Sequence, residues 1–248
     1  MNLYNTSFAS NTGGGSGGDD ELIASYIDII EGDAVNPKLP DGLTTIGNYA
    51  FYSQRNLVLP SLPEGVTSIG NYAFQYSSNL ALTSLPEGLT SIGSYAFEGC
   101  SKLALTELPT GLTSIGTTAF QNCSKLTLTK LPEGITTIAN SAFNCCSNLS
   151  LTELPAGLTS IGIKSFRECY KLALTELPAG ITSIGIDAFN YCSSLTEITF
   201  KGTPTTIATS AFSYCSNLKT INVPWAEGAV ANAPWGATNA TINYNYTG

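Results

Sequence analysis

The sequence predicts a repeat solenoid of α/β, β-rich class, and three observations carry that expectation. The first is a strict period. Phe51, Phe74, Phe97, Phe120, Phe143, Phe166, Phe189 and Phe212 follow one another at steps of 23 residues, as do the Ile46-to-Ile207 and Leu57-to-Leu218 columns. A fixed period between about 20 and 50 residues marks a stack of identical supersecondary units. The second is punctuation: Leu-Pro-x-Gly recurs from Leu39-Pro40-Asp41-Gly42 to Leu177-Pro178-Ala179-Gly180, between short apolar segments. The third is a surface that is polar but sparsely charged. Charged residues make up 11% of the chain, against about a quarter in ordinary proteins.

Taken in order, residues 1–18 end in Gly13-Gly14-Gly15-Ser16-Gly17-Gly18 and read as a flexible Gly/Ser-rich tail. No Gly-Lys-Ser/Thr follows, so the stretch is not a phosphate loop. Residues 19–38 read as an N-terminal capping helix. Asp19, Asp20 and Glu21 suit the positive end of a helix better than they suit a cation site. Leu22, Ile23, Tyr26, Ile27 and Ile30 make one apolar face, fit to cover the exposed first coil.

The eight repeats span 39–223. In each, Pro at the second turn position and Gly at the fourth suit a type I turn. The preceding segment, such as Leu103-Ala104-Leu105-Thr106-Glu107-Leu108, is expected to be the main strand, pairing in parallel with its copies. Leu89-Thr90-Ser91-Ile92 reads as a second short extended piece, and Tyr95–Cys100 as a helical turn. A glycine column (Gly47, Gly70, Gly93, Gly116, Gly162, Gly185) gives way to Ala139 and Ala208. Close backbone packing rather than a positive φ is therefore its demand. The expected core of each coil is two or three Leu, the Ile, the Ala, the Phe and a Cys. Residues 224–248 leave the repeat and hold both tryptophans, Trp225 and Trp235. A cap sealing the last coil is preferred over a paired aromatic sugar site, because a solenoid must close its end.

Six of the seven cysteines fall in phase: Cys100, Cys123, Cys146, Cys169, Cys192 and Cys215. Neighbouring rungs, about 4.8 Å apart, leave disulfides possible by distance. In-register side chains point the same way, however, so a ladder of packed, reduced thiols is the preferred reading. Ser77 stands in the same column.

Composition excludes several functions. The net charge of −8 argues against nucleic-acid and anionic-lipid partners. The chain has no histidine, which removes the commonest general base and metal ligand. No serine elbow, paired carboxylates or insertion supplies a catalytic site. The expectation is a non-enzymatic chain with no cofactor and no metal. Met1–Ser10 shows no basic start followed by an apolar run, so no signal peptide is expected in this chain. No stretch approaches the roughly 18 apolar residues of a membrane span.

Written around its cysteine, the unit is Cys-Ser-x-Leu-x-x-x-x-Leu-Pro-x-x-Leu-Thr-Ser-Ile-Gly-x-x-Ala-Phe. It resembles the BspA-like leucine-rich repeats over about three quarters of the chain. In repeats two to six, Leu82, Leu105, Leu128, Leu151 and Leu174 stand two after the first Leu, with Thr in the family's Ile place. Ile198 and Ile221 restore the family pattern. The resemblance implies a right-handed leucine-rich-repeat solenoid with parallel strands, found mostly in bacterial surface or secreted proteins implicated in adhesion. It places the chain outside the cell or at its surface, as a monomer that binds an unknown protein or glycan, with a structural spacer as the alternative.

Candidate binding residues fall in three columns. Thr106, Thr129 and Thr152 form one, and Glu107, Lys130, Glu153 and Glu176 the second, where a surface ion ladder is the plainer explanation. The third is Tyr49, Tyr72 and Tyr95, which could form an interface or shield the rungs nearest the cap.

Overall fold

The computed structural model describes residues 36–248 together with the two strand segments Phe8–Ser10 and Leu22–Ala24. It is a β-solenoid of stacked turns, and no helix occurs among the described residues. The class is therefore β rather than α/β.

One ladder of short strands runs through every repeat: β3 (Leu43–Ile46), β4 (Ser68–Ile69), β5 (Ser91–Ile92), β6 (Ser114–Ile115), β7 (Thr137–Ile138), β8 (Ser160–Ile161), β10 (Ser183–Ile184) and β12 (Thr206–Ile207). Neighbours pair in parallel, Ile on Ile, except across the step from β6 to β7. Ala139 enters the glycine column at that step. The column is tight: a Cβ built on Gly93 would lie 2.6 Å from Gly70 C and Asn71 N. Its glycines do not have positive φ, so close packing is their reason. Ala208, the other alanine, keeps its N–H 3.0 Å from Ile184 O, so a methyl group alone does not break the ladder.

A second ladder exists only near the C-terminus, where β9 (Glu176–Leu177), β11 (Glu197–Phe200), β13 (Thr220–Asn222) and β14 (Thr241–Asn243) pair in parallel. This corrects the expected main strand. In the middle repeats, Leu103 and Leu105 are both buried, Thr106 and Glu107 are both exposed, and Leu108 is buried again. That pattern breaks the alternation a strand needs. Each such rung keeps isolated bonds only, such as Ala104 N to Leu82 O at 3.0 Å. Where Ile198 and Phe200 restore alternation, the strand returns.

The N-terminal helix is corrected as well. Leu22–Ala24 (β2) pairs in parallel with β3, and Phe8–Ser10 (β1), within the expected tail, pairs antiparallel with β2. A strand laid along the outer edge of β3 extends its backbone ladder, which a helix would not do. The rest of 1–35 lies outside the described residues.

The expected helical turn is a run of tight turns with two left-handed residues. Tyr95 and Gly99 have φ of 60° and 72°, and their columns keep the sign through Thr118, Asn122, Ser141, Cys145 and beyond. Alternate N–H groups close turns within the rung, Glu98 to Tyr95 O and Cys100 to Phe97 O. The others donate along the axis: Tyr95, Phe97 and Gly99 N–H reach Thr117, Ala119 and Gln121 carbonyls at 2.8 Å. The positive φ turns these donors out of the coil toward the next rung, which offsets the roughly 1 kcal/mol a left-handed residue costs.

The core is the column set the period announced. The Phe rings stack from Phe51 to Phe212 with centroids 5.0–5.6 Å apart. The in-phase cysteines are free and buried. Each thiol donates to a Phe carbonyl of the rung before, Cys123 Sγ to Phe97 O at 3.1 Å. Ser77 makes the same bond to Phe51 O at 2.7 Å. Burial pushes these thiols up, Cys215 to about 12.

One buried polar ladder crosses the stack. Glu98, 7% exposed, accepts from the Gln75 and Gln121 side-chain amides, and Asn144 donates to Gln121 Oε1 at 2.9 Å. Glu98→Ala strands two amide donors and is expected to cost about 1–3 kcal/mol in urea unfolding. A loss below about 0.5 kcal/mol would show that water satisfies them.

The C-terminal segment continues the coil as a ninth, irregular turn. Phe212 N–H donates to Trp235 O, and β14 extends the second ladder. Trp225 and Trp235 are 6% and 0% exposed and pack with Phe200 at centroid distances of 5.2 and 6.1 Å. Their burial makes them a cap, with no open face for a sugar.

Candidate functional site

The structure separates the candidate residues into distinct surfaces. Thr106, Glu107, Thr129, Lys130, Thr152, Glu153 and Glu176 are all exposed, on the Leu103–Leu108 side of the coil. The expected ion ladder does not form. Among the described residues the ion pairs are Arg167 with Glu168 and Glu176 with Lys201, each at 2.8 Å, and neither involves Glu107, Lys130 or Glu153. Rungs in register present long side chains side by side, free to point into water, and exposed pairing contributes little. None of these residues lines the two grooves described next.

The tyrosine column is brought together. Tyr49, Tyr72 and Tyr95 stack with centroids 4.7 Å apart and planes within 6°. Tyr49 is 44% exposed and the other two are half-buried. Each sits at the first left-handed position of its turn, which projects the ring away from the core. Burial, then the flanking Tyr49 and Tyr95, hold the Tyr72 phenol above its usual range.

Immediately before the tyrosines in the chain runs a groove of about 560 Å³ across four rungs. Its lining includes Ser68, Ser91 and Ser114 and the isoleucines beside them on the strands, the glycine column, and Asn48, Asn71 and Ser94. The asparagines link rungs: Asn48 Oδ1 accepts from Asn71 N–H and Asn71 Oδ1 from Ser94 N–H, both at 2.7 Å. The sequence reading missed this groove, although its signal, three adjacent columns of small polar residues, was present in the repeat.

A second aromatic surface was also missed. Tyr191 and Tyr214 occupy the second left-handed column and stack at 4.6 Å. Tyr170 stands in a column that holds Arg55 in the first repeat and Ser78, Ser101, Ser124, Ser147, Ser193 and Ser216 in the others. The three border a groove of about 600 Å³ that runs up to Gly236–Asn239 of the ninth turn.

The described residues hold no cluster of three or more His, Cys, Asp or Glu fit for a metal. Cys145, the half-buried thiol, is pushed up by burial and then by Glu168, the reverse of an activated nucleophile.

The repeated coil, its Leu, Ile, Phe and Cys columns and its edge-to-edge stacking can be compared with known proteins. The family profile described as "BspA type Leucine rich repeat region (6 copies)" matches residues 33–150 and 117–228. The chain belongs to this family. No curated protein matches it. Among solved structures, a leucine rich cell surface protein from Faecalibacterium prausnitzii A2-165 aligns with a TM-score of 0.64 at 22% identity, over 90% of this chain and 70% of that one. The leucine rich repeat protein of T. pallidum aligns at 0.58 and 27% identity, over 77% and 87%. A leucine-rich repeat protein from Bacteroides ovatus ATCC 8483 aligns at 0.58 and 20% identity, over 98% and 76%. These likenesses support the repeat architecture of the BspA-type chain. No helix among its described residues is long and apolar enough to cross a membrane.

Proposed function

We propose that this BspA-type chain is a non-enzymatic recognition module of a bacterial surface or secreted protein, which holds a protein partner on the outside of its first turns. The observation that carries the reading is the stacked row Tyr49–Tyr72–Tyr95 beside the Ser/Gly/Asn groove. Tyrosine is enriched at interfaces because it offers a rigid apolar ring and a polar tip at little entropic cost. Here stacking has already fixed the rings before any partner arrives, which lowers the ordering cost of binding. The groove adds hydroxyl and amide groups that can take up hydrogen bonds, without a charge that must be desolvated.

Surface localisation rests on the family and on the cell surface protein it resembles in fold. The test is binding of the purified chain to immobilised extracellular-matrix proteins and mucins. Saturable binding that falls by at least about tenfold in Tyr49→Ala/Tyr72→Ala/Tyr95→Ala places the partner on this row. Binding lost instead in Glu107→Ala/Lys130→Ala/Glu153→Ala moves it to the other side of the coil. No binding to any of them favours a structural spacer, to which the unbroken 23-residue phase, with no inserted loop, also lends itself.

A further inference from the structure

We propose that the groove bordered by Tyr170, Tyr191 and Tyr214 is a binding site for a neutral glycan. It lies at the opposite end of the solenoid from the Tyr49–Tyr72–Tyr95 row and stands independently of the role assigned to that row.

The end of an aromatic ladder supplies the platform. Tyr191 covers one face of Tyr214, with ring planes 5° apart. No ring stacks on the other face among the described residues. Instead, the ninth turn places Gly236, Ala237, Thr238 and Asn239 across the groove. Tyr214 is consequently 66% exposed, the most exposed large ring described. Gly236 keeps this approach close: its φ is 84°, and a Cβ there would collide with Ser213 Oγ. The substitution of Tyr for Ser at position 170 raises a third ring at the far end of a column that continues as Ser193 and Ser216. The rings are fixed, because Tyr214 rests on Tyr191 and the Tyr170 phenol donates to Glu168 Oε2 at 3.2 Å.

The chemistry of the lining selects the ligand class. The volume of about 600 Å³ lies within the roughly 300–1,000 Å³ range of small-ligand sites. The lining offers aromatic faces, the hydroxyls of Ser193, Ser213, Ser216 and Thr238, and the Asn239 amide, with no charged side chain. Two charged groups bonded to lining residues are engaged there, Glu168 by the Tyr170 phenol and Lys219 Nζ by the Ser216 carbonyl at 3.2 Å. A charged ligand would find no counter-charge in this lining. A wholly apolar one would bury the hydroxyls and the amide unpaired. A pyranose ring satisfies both surfaces, laying its C–H face on a tyrosine and turning its hydroxyls to the Ser, Thr and Asn groups. A proline-rich peptide fits less well: it docks into slots between aromatic side chains, and at 4.6 Å Tyr191 and Tyr214 leave no slot between them.

The test is the full chain on an array of neutral oligosaccharides terminating in glucose, galactose, mannose, fucose or N-acetylhexosamine, with sialylated and sulfated counterparts and a proline-rich peptide alongside. Binding to neutral glycans is expected, weakened on the order of tenfold by Tyr214→Ala, the size of one lost aromatic contact. Tyr49→Ala/Tyr72→Ala/Tyr95→Ala is expected to leave it unchanged. Unaltered far-ultraviolet circular dichroism and melting of Tyr214→Ala exclude misfolding, and Tyr214→Phe keeps most of the affinity. The proposal is overturned by absence of neutral-glycan binding, by binding that Tyr214→Ala does not weaken, or by a requirement for sialic acid, sulfate or the peptide.

Discussion

Raising the pH above about 9 is expected to unfold the solenoid through its thiol ladder. Cys100, Cys123, Cys146, Cys169, Cys192 and Cys215 are buried, and burial holds each thiol above the ordinary value of 9.0. In the unfolded chain these groups ionise near pH 9; in the native stack they keep their protons. Above that pH the unfolded state therefore binds fewer protons than the native one, and stability falls as pH rises. Below it the thiols are protonated in both states and contribute no slope.

Each thiol contributes about 1.4 kcal/mol per pH unit, so six acting together give a slope of about 8 kcal/mol per unit. The window runs upward from about pH 9, and Cys215 leaves it first, at about 12. Against a typical total stability of about 5–15 kcal/mol, the loss becomes global one to two units above pH 9. Urea titrations at successive pH values measure the slope. The control is Cys123→Ser/Cys146→Ser, since Ser77 shows that the column accepts a hydroxyl with its bond to a Phe carbonyl intact. That variant should lose about a third of the slope. Tyr72, Tyr76 and Tyr170 are also raised, but they are present in both proteins, so the difference isolates the thiols. Equal slopes in the two proteins would mean that the thiols ionise in place.

The same ladder shows how far the sequence could be read. Six cysteines in phase, with a serine among them, announced a packed column rather than bridges, and the structure holds them free. The Phe, Ile and Leu columns likewise named the core. Backbone placement was harder. Leu103-Ala104-Leu105 carries the strongest apolar signal, yet the ladder with a strand in every repeat forms at Ser91–Ile92, two residues whose pattern is too short to stand out. The glycine that follows in most repeats lets the rungs approach closely there.

The tight turns after it were illegible for a different reason. Positive φ usually announces itself through Gly or Asn, but here Tyr95, Thr118, Ser141, Lys164 and Glu168 adopt it, held by bonds to the next rung that no single repeat contains. At the N-terminus the apolar face spanning Leu22 and Ile23 suited a helix. The edge of β3 pairs with a strand instead. The Tyr170 groove escaped because it depends on one substitution in a serine column and on the ninth turn, which departs from the period.

Truncating Phe120 tests the stacking itself. The ring is fully buried and lies 5.4 Å from Phe97 and 5.5 Å from Phe143, nearly parallel to both. Phe120→Ala removes its transfer free energy and leaves a void, at a cost of about 3–5 kcal/mol. The upper part of that range is expected because the site cannot collapse. Phe120 N–H donates to Ala142 O and Phe97 N–H to Ala119 O, both at 2.8 Å, so hydrogen bonds hold the rungs at their spacing on either side of the gap. In a stack where each unit touches only its neighbours, a mid-stack ring belongs to two interfaces and an end ring to one. Phe51→Ala, at a ring with a single stacked Phe neighbour among the described residues, should therefore cost distinctly less. Urea unfolding of both variants decides. A loss below about 1 kcal/mol for Phe120→Ala, or an equal loss for Phe51→Ala, would show that the Phe column fills space without coupling the rungs, and that stability is local to each coil.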